Sequence, residues 1–124
     1  MRVRPLLRRL KASLSLLPRP LPGHLKAIHV VLVDRAAMAR VHGDFLGDPT
    51  ETDVITFPYG EILVCPAVAL DQASGYRHEV EQEVLLYALH GLLHLVGYDD
   101  TTPEAARRMA RAQGKLLNKV LQSA

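Results

Sequence analysis

Two histidines four residues apart, His90 and His94, lie in the stretch HGLLHLVGYDD at residues 90–100. Imidazole nitrogen is a common ligand for transition metals, and ligands must converge to hold one. If residues 80–96 are helical, positions i and i+4 share a face about one turn apart, and the two rings point the same way. Gly97 then suits the left-handed conformation that ends a helix. Beyond it, Tyr98, Asp99 and Asp100 can fold back and bring a third ligand from the far side. Two ligands on one helical turn and one after a glycine leave a coordination position open. That is the layout of a catalytic metal site rather than a closed structural one.

An HxxxH pair alone fits half-buried histidines with polar partners just as well. The glycine and the acidic pair at these offsets tip the reading towards a metal. The frame H-x-x-x-H-x-x-G-x-x-[H/D] is kept in His90, His94, Gly97 and Asp100. Position 91 is Gly, not the Glu that an HExxH peptidase uses as general base, which argues against peptide hydrolysis.

These residues need a frame around them. Residues 78–96 read as the main helix, with Glu79, Glu81 and Glu83 in its first turns and a broad apolar surface of Val84, Leu85, Ala88, Leu89, Leu92 and Leu93. His78 falls on the same side as His90 but about 18 Å along the axis, too far to be a ligand. Thr102 as N-cap and Pro103 at the first helical position open a last helix, striped by Ala105, Met109, Ala112, Leu116 and Val120. At the other end, leucines spaced three and four apart make residues 5–17 helical, and Pro18, Pro20, Pro22 and Gly23 form a stiff connector.

Residues 25–33, LKAIHVVLV, read as a strand in which His29 is a packed or edge residue rather than a ligand. Asp34 caps a helix over 35–45, and residues 46–52 form a loop. Residues 53–57 and 61–65 make a hairpin closed by Pro58, Tyr59 and Gly60. Pro66 starts a short helix to about residue 72, and residues 74–76 form a loop. Length and composition fit one domain over 1–124: a helix and connector over 1–24 and a core over 25–121. The class is α/β.

Charge is uneven along the chain. Residues 1–33 carry seven Lys or Arg and no acid, residues 34–104 carry all thirteen acids, and residues 105–124 carry five Lys or Arg and no acid. If the two ends lie together, they form a basic surface beside an acidic, metal-binding middle, the electrostatic footprint of a phosphate backbone. The plainer alternative is that these cations solvate the outer faces of two helices. The single cysteine, Cys65, excludes an internal disulfide and reads as a buried strand-end residue, which fits a cytoplasmic location. No apolar run approaches 18 residues, so no membrane span and no membrane partner is expected.

HGLLHLVGYDD resembles the signature HGxLHLxGYDH of the YbeY family, metal-dependent endoribonucleases that act in ribosomal RNA maturation. Ten of the eleven positions fit, and the eleventh, a metal-binding His in the family, is Asp100 here. Residues 52–58, TDVITFP, are similar to the family's PTDVLSFP strand, and Gly60, Glu61 and Ile62 follow like its G-[DE]-I. The resemblance covers roughly residues 25–121. It implies a small mixed sheet of about four strands covered by helices. The family's N-x-x-[YF]-R segment, whose arginine is taken to handle the phosphate, is matched by Phe45, but Leu46 falls at the arginine's place. Arg40 is out of register yet near enough in sequence to approach the cleft.

What the resemblance implies for function is a zinc-dependent endoribonuclease acting on single-stranded or ribosomal RNA. His90, His94 and Asp100 would hold one divalent ion, which would polarise a phosphoryl oxygen, activate a water, or both. Asp in place of His adds a negative charge, so the ion is a weaker Lewis acid and its water should ionise at higher pH. His90 and Asp99 are the candidate catalytic residues. Asp99 would be an orienter of the site or general base, with a turn-forming role as its alternative. The substrate-binding candidates are Thr52, Asp53, Thr56, Tyr98 and Arg40. Tyr98 would stack on a base or pack the turn. Implied partners are ribosomal RNA, the small ribosomal subunit and ribosomal proteins. Two rival readings are a ribosome-associated RNA-binding factor with a structural or vestigial metal, and a metallohydrolase of peptides or small phosphoesters.

Overall fold

The computed structural model describes residues 2–48, 50, 52–76 and 79–123. The elements run α1 (Val3–Leu14), β1 (His29–Leu32), α2 (Arg35–Leu46), β2 (Val54–Phe57), β3 (Glu61–Val64), α3 (Pro66–Tyr76), α4 (Val80–Leu95) and α5 (Pro103–Gln122). The sheet is mixed, in the order β1-β3-β2: β1 lies parallel to β3 and β2 antiparallel to it.

β3 is the central strand, and its alternating side chains feed both layers. Ile62 and Val64 enter the larger core with Leu85, Leu89, Leu92 and Leu93 of α4, Met109, Leu116 and Val120 of α5, and Leu6 of α1. Leu63 points the other way, into a smaller cluster with Met38 of α2, Ile55 of β2 and Cys65. Cys65 is thus the buried strand-end residue the sequence suggested. α4 touches α1, α3, α5, β2 and β3, and most of its length is buried. A helix apolar on most of its circumference can only be central.

The local chemistry follows the expected signals at several ends. Asp34 accepts from the Ala37 amide at 2.7 Å, and Thr102 from the Ala105 amide at 3.1 Å, so both act as N-caps. Gly60 closes the β2–β3 turn at φ 104°, where a Cβ would also meet the Ala27 carbonyl oxygen at 2.7 Å.

The bounds of three elements and the strand count differ from the sequence expectation. β1 is His29–Leu32 rather than residues 25–33, because its partner β3 offers four residues to pair. The sheet has three strands among the described residues rather than about four: the chain before residue 25 forms α1 and the proline connector and supplies no further strand. α1 begins at Val3 and stops at Leu14, short of Leu17, since Pro18 disfavours helical geometry in the residue before it. α3 runs through residues 74–76, expected to be a loop, as Ala69 and Ala73 pack its inner face. α4 is described from Val80, and His78 lies outside the described residues. No helix among the described residues is long and apolar enough to cross a membrane.

Candidate metal centre

α4 ends in a Schellman motif. The Tyr98 amide donates to the Leu93 carbonyl and the Gly97 amide to that of His94, both at 3.0 Å, with Gly97 at φ 102°. The turn reverses the chain so that Tyr98 to Asp100 return alongside the last turn of α4. As a result, the Tyr98 carbonyl oxygen lies 3.0 Å from His94 Nδ1. A carbonyl only accepts, so Nδ1 carries the proton and Nε2 keeps its lone pair. On the other histidine, Nδ1 of His90 lies 2.8 Å from Oε1 of Gln113 on α5, which fixes the same tautomer.

The two Nε2 atoms therefore face each other at 3.1 Å, their rings nearly perpendicular at 84°. Asp100 Oδ2 stands 3.6 Å from one and 3.8 Å from the other. Two lone pairs and a carboxylate aimed at one point repel unless a cation sits among them. Atoms bound to a tetrahedral zinc at 2.0–2.2 Å stand about 3.3 Å apart, so the observed spacings of 3.1, 3.6 and 3.8 Å fit that ion with small adjustments. Both histidines are half-buried and Asp100 is about half exposed, so the site is open on one side. Among the described residues this is the group of His, Cys, Asp and Glu able to hold a metal.

Packing explains why no general base stands at position 91. Gly91 is buried against the sheet, where a Cβ would come within 2.8 Å of both Ile62 Cγ2 and Thr56 Oγ1. The side-chain direction of that position runs into Ile62 of β3 and Thr56 of β2. A glutamate fits neither the space nor the task.

The triad opens onto a cleft of about 800 Å³. Asp53 and Thr56 of the expected substrate residues line it; Thr52, Tyr98 and Arg40 do not. Thr52 instead bonds Asp53, whose Oδ1 also accepts from the Val54 amide at 2.8 Å. Arg40 is exposed on α2. Tyr98 is half-buried with the Arg19 guanidinium 4.0 Å over its ring, so it packs the turn from the other side. Asp99 is exposed, and its Oδ1 accepts from the Thr101 hydroxyl at 2.9 Å and amide at 3.2 Å. Those bonds, the hydroxyl first, hold its carboxyl below the usual carboxylate range. These are the bonds that a turn-forming Asp makes.

Two features of the site went unnoticed in the sequence. Gln113 is one; its signal is a polar residue between Met109 and Leu116 on the inner stripe of α5. The second is an aromatic wall. Phe45 meets Phe57 edge-on, and Phe57 stacks on Tyr59, each pair with ring centroids 5.4 Å apart. Phe45 and Phe57 line the cleft, and Phe45 is 68% exposed. As Leu46 at the arginine's place suggested, no Lys or Arg lines the cleft among the described residues; at its mouth Leu46 stands exposed.

The model of the family described as endoribonuclease YbeY matches residues 7–121. A relative named endoribonuclease YbeY from Renibacterium salmoninarum is 38% identical over 111 residues, 76% of this chain and 71% of its own. One of the same name from Kineococcus radiotolerans is 37% identical over 110 residues, 75% of this chain and 64% of its own. The solution structure of the Thermotoga maritima protein TM1509 superposes with a TM-score of 0.70 at 29% identity, covering 98% of this chain and 82% of that one. Helix α4, the Gly97 turn and the return to Asp100 all fall inside the matched span, and the chain belongs to the YbeY family.

Proposed function

We infer that the protein is a zinc-dependent endoribonuclease that cleaves single-stranded RNA, with ribosomal RNA of the small subunit as its substrate and the cytoplasm as its place of action. The observation that carries the reading is the pair of Nε2 atoms converging at 3.1 Å with both Nδ1 atoms committed elsewhere. Family membership gives the reaction class.

His90, His94 and Asp100 would hold the ion, which when bound supplies Lewis acidity towards a phosphoryl oxygen and an acidified water as nucleophile. The chain's own groups prepare that place. Gln113 and the Tyr98 carbonyl keep the histidine protons on Nδ1, outside the site. Asp99 holds the turn that presents Asp100. The Phe45–Phe57 wall offers a flat apolar face to an unpaired base, and Thr56 and Asp53 offer polar atoms beside it. An unstacked base fits such a wall better than a duplex does, which supports a single-stranded substrate.

The test is bound metal per chain by elemental analysis, for the wild type and Asp100→Ala, followed by cleavage of single-stranded RNA with and without chelator. Near-stoichiometric zinc, its loss in the variant, and chelator-sensitive cleavage are expected. Metal-free protein that takes up no zinc on dialysis yet binds ribosomal RNA would replace the enzyme reading with that of an RNA-binding factor.

A further inference from the structure

The cleft beside the triad contains acids and aromatic rings but no Lys or Arg among the described residues. Apart from the ion the triad would hold, no positive side chain there can grip a polyanion. On the other side of the Gly97 turn lies a second groove, of about 280 Å³, with the opposite character. It is lined by Arg19 from the proline connector and by Arg108, Arg111, Lys115 and Lys119 from α5. These four recur at spacings of three and four and so share one face of α5, about 16 Å long.

Tyr98 joins the two places. Its carbonyl holds His94 Nδ1, while its ring lines the groove beneath the Arg19 guanidinium. The groove therefore begins one residue's width from the metal ligands. Its cations are also largely free. Arg108 shares its charge with Glu104 at 3.0 Å, whereas Arg111, Lys115 and Lys119 meet no carboxylate among the described residues. All four α5 cations are exposed. Arg19 is held in place by stacking, which lowers the entropy lost when its fork binds an oxyanion. Such an uncompensated row, with an aromatic ring in its floor, suits a phosphate backbone better than it suits solvent alone.

We propose that this groove, formed by Arg19, Tyr98, Arg111, Lys115 and Lys119, is where the single-stranded RNA backbone is held as it runs past the metal centre. It supplies from α5 and the connector the cationic side chains that the cleft itself lacks. The proposal rests on the endoribonuclease reading, and the experiment separates the two.

Binding of a single-stranded RNA of about 12 nucleotides is measured by fluorescence anisotropy over a range of salt. The proteins are the full chain, the variant Arg111→Ala/Lys115→Ala/Lys119→Ala, and a control that removes as many cations from α1, Arg4→Ala/Arg8→Ala/Arg9→Ala. Zinc content and melting temperature confirm that each variant is folded. The groove variant should lose at least tenfold in affinity at low salt, and its slope of log K against log salt should fall by roughly 2, at about 0.7 per lost phosphate contact. The control should lose clearly less. An unchanged slope in the groove variant overturns the groove, as does an equal loss in the control, which would reduce the effect to net charge. Binding to anionic lipid vesicles but not to RNA also overturns it. If the wild type neither binds nor cuts RNA, the endoribonuclease reading falls with it; if it cuts RNA and only the slope is unmoved, that reading stands alone.

Discussion

Nδ1 of His90 lies 2.8 Å from Oε1 of Gln113, so a residue twenty-three positions downstream sets which nitrogen of the histidine faces the metal centre. The bond ties α5 to α4 across the core. Removing it frees the ring to rotate and to exchange tautomers. Gln113→Ala should weaken zinc binding by about 10–100-fold, read by competition with a chromogenic chelator, while far-ultraviolet circular dichroism stays unchanged. Gln113→Glu keeps an acceptor and should recover most of the affinity. Equal zinc affinity in wild type and Gln113→Ala would remove Gln113 from any positioning role.

Gly91 is a packing residue whose effect reaches the chemistry. A Cβ there would overlap Ile62 Cγ2 and Thr56 Oγ1 at 2.8 Å, and Thr56 lies on the wall of the cleft. Gly91→Ala should cost about 1–3 kcal/mol in urea unfolding. Gly91→Glu, which would complete an HExxH motif, should lower stability further and yield no hydrolysis of casein, because the side-chain direction points into the sheet. Casein cleavage by a folded Gly91→Glu protein would refute this account of position 91.

The parts of the fold and site that were legible in the sequence are those written in local spacing. The i, i+4 histidines, the glycine able to adopt positive φ, the Asp34 and Thr102 caps and the hairpin glycine all act within a few residues, and local sequence constrains them directly. The convergence of His90, His94 and Asp100 follows from the same local geometry. What stayed hidden depends on tertiary packing. The length of β1 is set by its partner β3, and the contact of Gln113 with His90 by how α5 lies on α4. The placing of Tyr98 outside the cleft needs the position of Arg19, which arrives from the proline connector. The charge pattern left open a basic surface beside the metal-binding middle or cations that merely solvate two helix faces, and gave no sign that Tyr98 would stand between the groove and the triad.

Asp99 offers a test of orienter against base. Its carboxyl is held below the usual range by Thr101, first by the hydroxyl and then by the amide. A depressed carboxyl contributes stability to the turn above its unfolded value, near 3.8, and loses it as pH falls through the lower folded value. The turn is therefore intact at neutral pH, and protonation of Asp99 should not shape activity there. Asp99→Asn retains Oδ1 as an acceptor and should keep most of the cleavage rate and zinc content. Asp99→Ala, which removes both bonds, should lower zinc affinity. If Asn were as damaging to kcat as Ala, with zinc content preserved in both, Asp99 would act on the proton after all.

Asp100 is where the chain departs from the family signature, and its reversal has a signed consequence. With Asp the triad carries one negative charge more than with His, which reduces the Lewis acidity of a bound divalent ion and raises the pH at which its solvent ligand ionises. Asp100 is about half exposed, and its Oδ2 stands 3.6 and 3.8 Å from the two Nε2 atoms, so a longer imidazole has room to swing in from solvent. Asp100→His should keep zinc bound and move the acidic limb of the kcat/KM profile to lower pH, giving more activity near neutrality. Asp100→Ala should instead lose most of the zinc. Cleavage of single-stranded RNA from pH 5 to 9, with zinc content measured alongside, checks both variants. An acidic limb displaced to higher pH in Asp100→His would mean that the charge of the third ligand does not set the working pH.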